Sequence, residues 1–348
     1  MISNHVLRVL FFFWNVYPYS VWKLNFLSIF LLVFLLCDFD RDMRRLALAS
    51  VAKDTAKRYA KEYRFFYTWV LSAPFLIDSV EDLDEALVEY YEQLWELNNG
   101  RGKSAAGVLL SAVVFFNPAF KERLGGAGRS LKGWNILSPS LAWPPISRRL
   151  NVLVAFWLCR RGRFRQALAI LLGFECFLRI SEVMQLEGRD VVFRGDGVLP
   201  RNFAHAALIR LGKTKTGEEQ SAFISLEFSW IASLLEAAMG KQDGKIFAFS
   251  KGVLRASFRE ALVELGFGHV GYVFHSNRHG RATEEDLKGS SLEDILRWGR
   301  WAAAKSGRHY IQSGAAMLAK HRLSEQQVKL YDILLMTPAA YFLRYQCS

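Results

Sequence analysis

Arg179, Lys215, His275, Arg278, Trp301 and Tyr310 follow one another across the second half of the chain. Their side chains supply each part needed to break a phosphodiester without a metal. In-line attack on phosphorus requires a nucleophile, cations on the non-bridging oxygens and an acid for the departing alkoxide. Tyr310 offers a phenol, which attacks once a base removes its proton and leaves a covalent phosphotyrosine. Arg179 and Arg278 offer guanidinium forks that bind phosphate through paired, charge-assisted hydrogen bonds. Arg179 stands between the apolar runs Leu168 to Leu178 and Val183 to Leu186, where an idle charge would be costly. His275 precedes Arg278 by one helical turn, so both can face one phosphate, and its imidazole can exchange the phenol's proton near neutral pH. Trp301 can donate a single indole N–H. Glu182, three residues after Arg179, can turn back to orient that guanidinium or His275. Lys213 and Lys215 both lie beside Thr216-Gly217, where a flexible ammonium can reach a phosphate and protonate a leaving 5′-oxygen.

These residues need elements to hold them. Val191 to Phe193, Ala206 to Leu211 and Ser221 to Leu226 read as strands, the last two forming a hairpin around Thr216-Gly217. Asn151 to Leu158 and Arg165 to Phe177 read as buried helices leading into Arg179, and the chain from Phe228 onward reads as mostly helical. In the first half, Tyr59, Tyr63, Phe66 and Val70 form an apolar stripe on a helix whose other face carries Lys53, Lys57, Arg58, Lys61 and Arg64. Ser79-Val-Glu-Asp82 is a capping box opening a helix that Asn98-Asn-Gly100 closes, and a further helix spans Ser104 to Phe116. Gly125-Gly-Ala-Gly128 lacks the Gly-Lys-Ser/Thr ending of a phosphate loop and is expected to be a plain loop. The Pro-rich stretch Leu137 to Pro145 marks a domain boundary, since prolines stop helices and stiffen linkers.

With 348 residues and 51% apolar content, the chain can bury a sizeable core, and its length favours two domains. Lys and Arg outnumber Asp and Glu by 45 to 33, for a net charge of +12; this favours a polyanionic partner, nucleic acid first. Cys37, Cys159, Cys176 and Cys347 are scattered without paired spacing, which fits a reducing, intracellular setting. No metal-ligand cluster is visible: Asp38-Phe-Asp40 comes nearest and reads as solvated. Leu24 to Cys37 is an apolar run shorter than the roughly 20 residues of a spanning helix. It is read as a leader over residues 1–41, dispensable or arising from a misplaced start codon, with a membrane anchor and a buried helix as the other readings.

Phe177-Leu-Arg-Ile-Ser-Glu182, Lys213-Thr-Lys-Thr-Gly217, His275-Ser-Asn-Arg278, Gly299-Arg-Trp301 and the tyrosine of Arg308-His-Tyr310 resemble the catalytic motifs of the tyrosine recombinase, or phage integrase, family. The resemblance favours Lys215 over Lys213 as the acid, matches the interval from Trp301 to Tyr310, and puts Trp301 where the family usually has histidine. It implies a mainly α fold with a small β-sheet and hairpin. Residues 42–136 would be a helical DNA-binding domain, 137–147 a linker and 148–348 the catalytic domain, the two domains closing as a clamp around duplex DNA. It further implies strand exchange through a 3′-phosphotyrosine by a homotetramer on paired sites, with no cofactor, metal or small-molecule substrate, acting inside the cell on DNA. The alternatives are a recombinase-derived DNA-binding protein without catalysis and a membrane-anchored basic helical protein.

Overall fold

The computed structural model describes residues 49–348, apart from 73–75, 140–142, 201, 203, 213–219, 241–243, 321 and 347–348. The described chain is mainly helical with a three-stranded antiparallel sheet, the class the sequence pattern predicts. It divides into two compact units between Leu141 and Ala142.

The first unit contains α1 (Lys53–Ser72), α2 (Val80–Leu97), α3 (Lys103–Phe116) and α4 (Gly125–Leu137). Helix α1 buries Tyr63 and Phe66 in a core shared with α2 and α3, with Tyr59 and Val70 packed against it. Its Lys53, Lys57, Arg58, Lys61 and Arg64 are all exposed. The predicted capping box opens α2: Asp82 N–H donates to Ser79 Oγ at 3.1 Å, and Ser79 N–H donates to Asp82 Oδ2 at 2.8 Å. Gly125 to Gly128 departs from expectation, because it is the first turn of α4 rather than a loop. Asp84 of α2 is the reason. Its carboxylate accepts the free N–H groups of Gly126 at 2.7 Å and Ala127 at 2.8 Å, placing negative charge at the positive end of the helix. A Cβ on Gly126 would lie 2.8 Å from Asp84 Oδ2, so glycine here admits the capping carboxylate.

The second unit runs through α5 (Arg148–Arg160), α6 (Phe164–Glu175), the single turn α7 (Ile180–Val183), strands β1 (Val191–Phe193), β2 (His205–Leu211) and β3 (Gln220–Ser225), then α8 (Ser229–Met239), α9 (Lys251–Glu264), α10 (Ser276–Leu287), α11 (Leu292–Gly299), α12 (Ala304–Arg308), α13 (Ser313–Lys320), α14 (Glu325–Met336) and α15 (Pro338–Leu343). The sheet order is β1-β2-β3, with Val191 opposite Ile209 and Leu208 opposite Phe223. Helices α5 and α6 are buried along most of their length, as their apolar sequence predicts, and α15 returns Phe342 to the same core. Leu137 belongs to α4, and Ile146 is fully buried in the second unit's core.

Helix α10 is the exception to apolar burial. Ser276, Asn277, Arg278, His279, Arg281, Thr283 and Glu285 are all buried, a polar set that water would otherwise solvate. The surrounding helices supply its partners. Asn151 Nδ2 donates to Asn277 Oδ1 at 3.0 Å, and Arg281 pairs with Glu285 at 2.6 Å. Arg148 pairs with Glu175 at 2.9 Å and Glu284 at 2.8 Å, tying α5, α6 and α10 together. The packing is close: a Cβ on Gly280 would fall 1.9 Å from the Ile146 carbonyl oxygen and 2.9 Å from the Phe174 ring.

Among the described residues no helix is long and apolar enough to cross a membrane; the run from Leu24 to Cys37 lies outside them. Cys159 and Cys176 are buried free thiols.

Gly280→Ala is expected to cost about 1–3 kcal/mol by overpacking, because the nearest atom is backbone and cannot swing away. Gly107, in α3, has nothing among the described residues within 4 Å of its would-be Cβ, so Gly107→Ala should stabilise by about 0.5–1 kcal/mol. Urea denaturation of the two variants beside wild type measures both signs.

Candidate active site

Six of the residues singled out by their chemistry converge in the second unit. Arg179 and Glu182 come from the turn after α6, His275 and Arg278 from the start of α10, Trp301 from the exit of α11, and Tyr310 from the segment after α12. Lys213 and Lys215 lie outside the described residues. The cations of α1 belong to the first unit.

Arg278 is the deepest of them, with no exposed surface. Its Nη1 donates to the Phe177 carbonyl at 2.6 Å and its Nη2 to the Gly299 carbonyl at 2.7 Å. Phe177 holds a left-handed backbone, φ 51°, which a non-glycine residue adopts at a cost of roughly 1–2 kcal/mol. That conformation presents its carbonyl to two guanidiniums, since Arg300 Nη2 also donates to it at 3.0 Å. Burial, with Arg179 and Arg300 nearby, lowers the Arg278 pKa to about 9, so the group still carries its charge at neutral pH.

Arg179 corrects the expectation drawn from its flanking apolar runs. Those runs are buried, but Arg179 caps the next turn and its side chain is 41% exposed. Arg278, in a polar stretch, is the buried one. Glu182 does turn back as the i+3 spacing predicts: Arg179 N–H donates to Oε2 at 2.8 Å and Arg179 Nη1 to Oε1 at 2.5 Å. The same carboxylate accepts from Arg300 Nη2 at 3.0 Å and lies 4.0 Å from Arg278 Nη1. Burial pushes the Glu182 pKa up, yet Arg300, the Arg179 N–H, Arg179 and Arg278 together bring it below the ordinary carboxylate value. Three guanidiniums against one carboxylate leave two positive charges in excess.

Arg300 is the member that the sequence reading missed. It lies inside the Gly299-Arg-Trp301 segment but had no role there. Its side chain is 5% exposed, pairs with Glu182 and donates to the carbonyls of Cys176 and Phe177. The residue ends α11 in the left-handed region, φ 57°, and no periodicity in the sequence announces that turn.

Tyr310 closes the cluster. Its hydroxyl lies 3.0 Å from His275 Nε2, within the range for direct proton transfer, and its ring centroid lies 5.5 Å from the Arg278 guanidinium. Burial, then the charges of Arg278, Arg179 and His309, lowers the His275 pKa to about 4; the imidazole is neutral at pH 7 and free to accept the phenol's proton. Trp301 is 9% exposed and packs edge-on against Phe177 and at 4.5 Å against Tyr310. Its indole N–H is buried and has no hydrogen-bond partner among the described residues. His279, for which the sequence suggests no role, places its ring 4.5 Å from that of Tyr310, and His309 is also adjacent at 5.9 Å.

A cleft of about 480 Å³ opens beside Arg179 and His275, bordered by Trp143, Arg255, Arg259 and Tyr272. Arg255 and Arg259 are exposed and one helical turn apart on α9. The cluster can therefore hold an anion between guanidiniums, beside a phenol with a neutral base attached. Among the described residues no group of His, Cys, Asp and Glu side chains could hold a metal ion.

The fold is that of the tyrosine recombinases and integrases. The chain is similar to a lambda integrase dimer bound to a COC' core site, at 16% identity over 79% of this chain and 76% of that one, TM-score 0.54. It is similar to the XerH site-specific recombinase bound to palindromic difH substrate in a post-cleavage complex, at 15% identity over 89% and 93%, TM-score 0.54. The Tn1549 transposon integrase in complex with transposon right end DNA matches at 13% identity over 78% and 94%, TM-score 0.53. No protein-family model and no curated protein matches the sequence.

His275 should titrate near pH 4 rather than near 6.5, read from its ring resonances by NMR. Because the folded pKa is depressed, the unfolded chain takes up the proton first on acidification. The contribution of neutral His275 is present above about 6.5 and is lost as pH falls through about 4. Glu182→Gln should destabilise by about 3 kcal/mol, since it leaves buried Arg278 and Arg300 without their carboxylate; thermal melts beside wild type check this.

Proposed function

We propose that this chain is a site-specific DNA recombinase of the tyrosine type, which cuts and rejoins DNA strands through a covalent 3′-phosphotyrosine. The observation that carries the reading is the contact of Tyr310 with neutral His275 beside a set of guanidiniums whose positive charge exceeds that of the adjacent carboxylate. A phosphodiester brings one negative charge, and the in-line transition state spreads further charge over its equatorial oxygens. Preorganised guanidiniums favour that state over the ground state.

In this reading His275 takes the Tyr310 proton as the phenolic oxygen bonds to phosphorus. The bond from phosphorus to the 5′-oxygen breaks, Lys215 gives that oxygen a proton, and a free 5′-hydroxyl departs. Rejoining runs the same steps backward, with the incoming 5′-hydroxyl as nucleophile. Arg179 and Arg278 hold the non-bridging oxygens, Trp301 adds its unpaired N–H, and Glu182 with Arg300 keeps the guanidiniums in place. Both units bind the duplex, and Lys53, Lys57, Arg58, Lys61 and Arg64 of α1 neutralise phosphates together with Lys213 of the hairpin. Residues 42–136 form the DNA-binding domain and 148–348 the catalytic domain of a homotetramer on paired sites, acting on DNA inside the cell. Support comes from neighbours of the same fold that are described as bound to core-site, difH and transposon-end DNA, and from a lambda integrase tetramer bound to a Holliday junction.

A nicked duplex carrying the DNA that flanks this gene tests the chemistry. The short 5′-hydroxyl fragment diffuses away, so the protein should remain on the 3′ end as a slow, protease-sensitive band on a denaturing gel. Tyr310→Phe should abolish the band and keep duplex affinity within about twofold. Arg179→Ala and Arg278→Ala should reduce adduct formation by about 10²-fold or more, and Trp301→Phe by less. An adduct that persists in Tyr310→Phe would falsify the assignment of the nucleophile. Duplex affinity without an adduct in wild type would favour the reading of a binding protein without catalysis.

Charge reversal of Lys57 and Lys61 should weaken duplex binding and flatten its salt dependence, by roughly 0.9 in log–log slope for each phosphate left without its cation. Binding that is flat between low and physiological salt in wild type argues against the phosphate-neutralising role of α1.

A further inference from the structure

The segment that carries Tyr310 is fastened to α10 by contacts that the strand-transfer chemistry does not itself use. Helix α12 has only five residues, too few to be held by its own hydrogen bonds. Tyr310 follows two residues later, and α13 begins three residues after it. Between them the chain is pinned from outside. Thr283, fully buried on α10, donates its hydroxyl to the Tyr310 carbonyl at 3.2 Å and accepts the Gln312 N–H at 2.9 Å. One hydroxyl thereby satisfies a carbonyl and an amide on either side of Ile311. The Gln312 side chain adds a second fastening: its Nε2 donates to His279 Nδ1 at 2.9 Å and lies 3.2 Å from the Trp143 carbonyl. Burial and the neighbouring His275, His309 and Arg278 keep His279 neutral, as an accepting Nδ1 requires.

We propose that Thr283, seconded by Gln312, is a positioning residue that latches the nucleophile segment onto α10, so that the Tyr310 hydroxyl stays at His275 of the same chain. The proposal rests on the strand-transfer reading of Tyr310 and names what sets its geometry. His275, Arg278, His279 and Thr283 all lie on or at the start of one helix, so the base, the phosphate cation and the latch move as one body. Placement of an attacking atom is steep in its effect, with about 10²-fold in rate at stake for a displacement of about 1 Å. A hydroxyl that fixes the backbone directly at Tyr310 has that leverage without touching DNA.

Thr283→Val keeps the shape of the side chain and removes both hydrogen bonds; Thr283→Ser keeps both. Hydrogen exchange of the peptide containing Gln312, with no DNA present, reads the latch itself. Single-turnover adduct formation on the nicked duplex described above reads its consequence. In Thr283→Val, the Gln312 amide should exchange at least about tenfold faster and adduct formation should slow by at least about tenfold, with duplex affinity and melting temperature close to wild type. Thr283→Ser should restore both rates. Gln312→Ala, which retains the backbone amide, should slow adduct formation by a few-fold. Unchanged exchange in Thr283→Val overturns the latch, as does faster exchange with an unchanged adduct rate. Loss of duplex affinity and melting temperature in step with the adduct assigns Thr283 a merely structural role and also overturns it. If exchange responds to Thr283 while wild type forms no adduct, the strand-transfer reading falls and the fastening of the segment stands.

Discussion

Arg278 carries its charge with none of its side chain in contact with solvent. A buried ion without partners would cost several kcal/mol or more, so the elements around it have to bring acceptors to it. Two of them are main-chain carbonyls, from Phe177 and Gly299, delivered by the ends of α6 and α11. Both deliveries demand unusual backbone. Phe177 is left-handed, and Gly299 is followed by the left-handed Arg300; a Cβ at Gly299 would strike the Trp301 ring at 1.8 Å. Glu182, 4.0 Å from Arg278 Nη1, adds a countercharge that it shares with Arg179 and Arg300. Strain at two non-glycine residues is thus spent on one guanidinium, and sites that bind and transform ligands are where such strain is usually found.

Helix α10 extends the same logic. A helix of sequence SNRHGRATEEDL would lie on a protein surface by its composition, yet here its polar groups are the centre of the unit. Its neighbours answer in kind, with Asn151 from α5 and Glu175 from α6 turned inward among apolar side chains. Glu175 is 3% exposed, although every residue around it on α6 is apolar. The directional contacts of this network fix the position of α10, while Asn277 Nδ2, Arg278 Nε and Arg281 Nε stay buried without a hydrogen-bond partner among the described residues, so the network orients the helix more than it stabilises it. His275, Arg278, His279 and Thr283 inherit that placement.

Much of the fold was legible in the sequence because it follows local rules. Strand-forming runs marked the three strands to within a residue, Ser79 and Asp82 announced the start of α2, and the stripe from Tyr59 to Val70 marked the buried face of α1. The site residues were found by their chemistry together with the resemblance of their motifs to the tyrosine recombinases, and the structure brings together Arg179, Glu182, His275, Arg278, Trp301 and Tyr310. What the sequence concealed depends on contacts far along the chain. The carboxylate that turns Gly125 to Gly128 into a helix start comes from Asp84, and the hydroxyl bonded to the Tyr310 carbonyl comes from Thr283. The burial of Arg278 within a polar stretch, and the partial exposure of Arg179 between apolar runs, could not be read from flanking residues, because burial at a helix end is decided by what packs across it. Arg300 was hidden in plain view, since its partner Glu182 lies 118 residues away.

The electrostatics of the cluster couple binding to base strength. Burial is the largest influence on His275, and the charges of Arg278 and Arg179 come next. Both influences hold the imidazole neutral, so it is ready to accept a proton, but both also make it a weak base. A phosphate monoanion seated between the guanidiniums would cancel part of their field without removing His275 from its protein surroundings. The charge component of the depression is then relieved, and the imidazole becomes a better proton acceptor when a phosphodiester is in place.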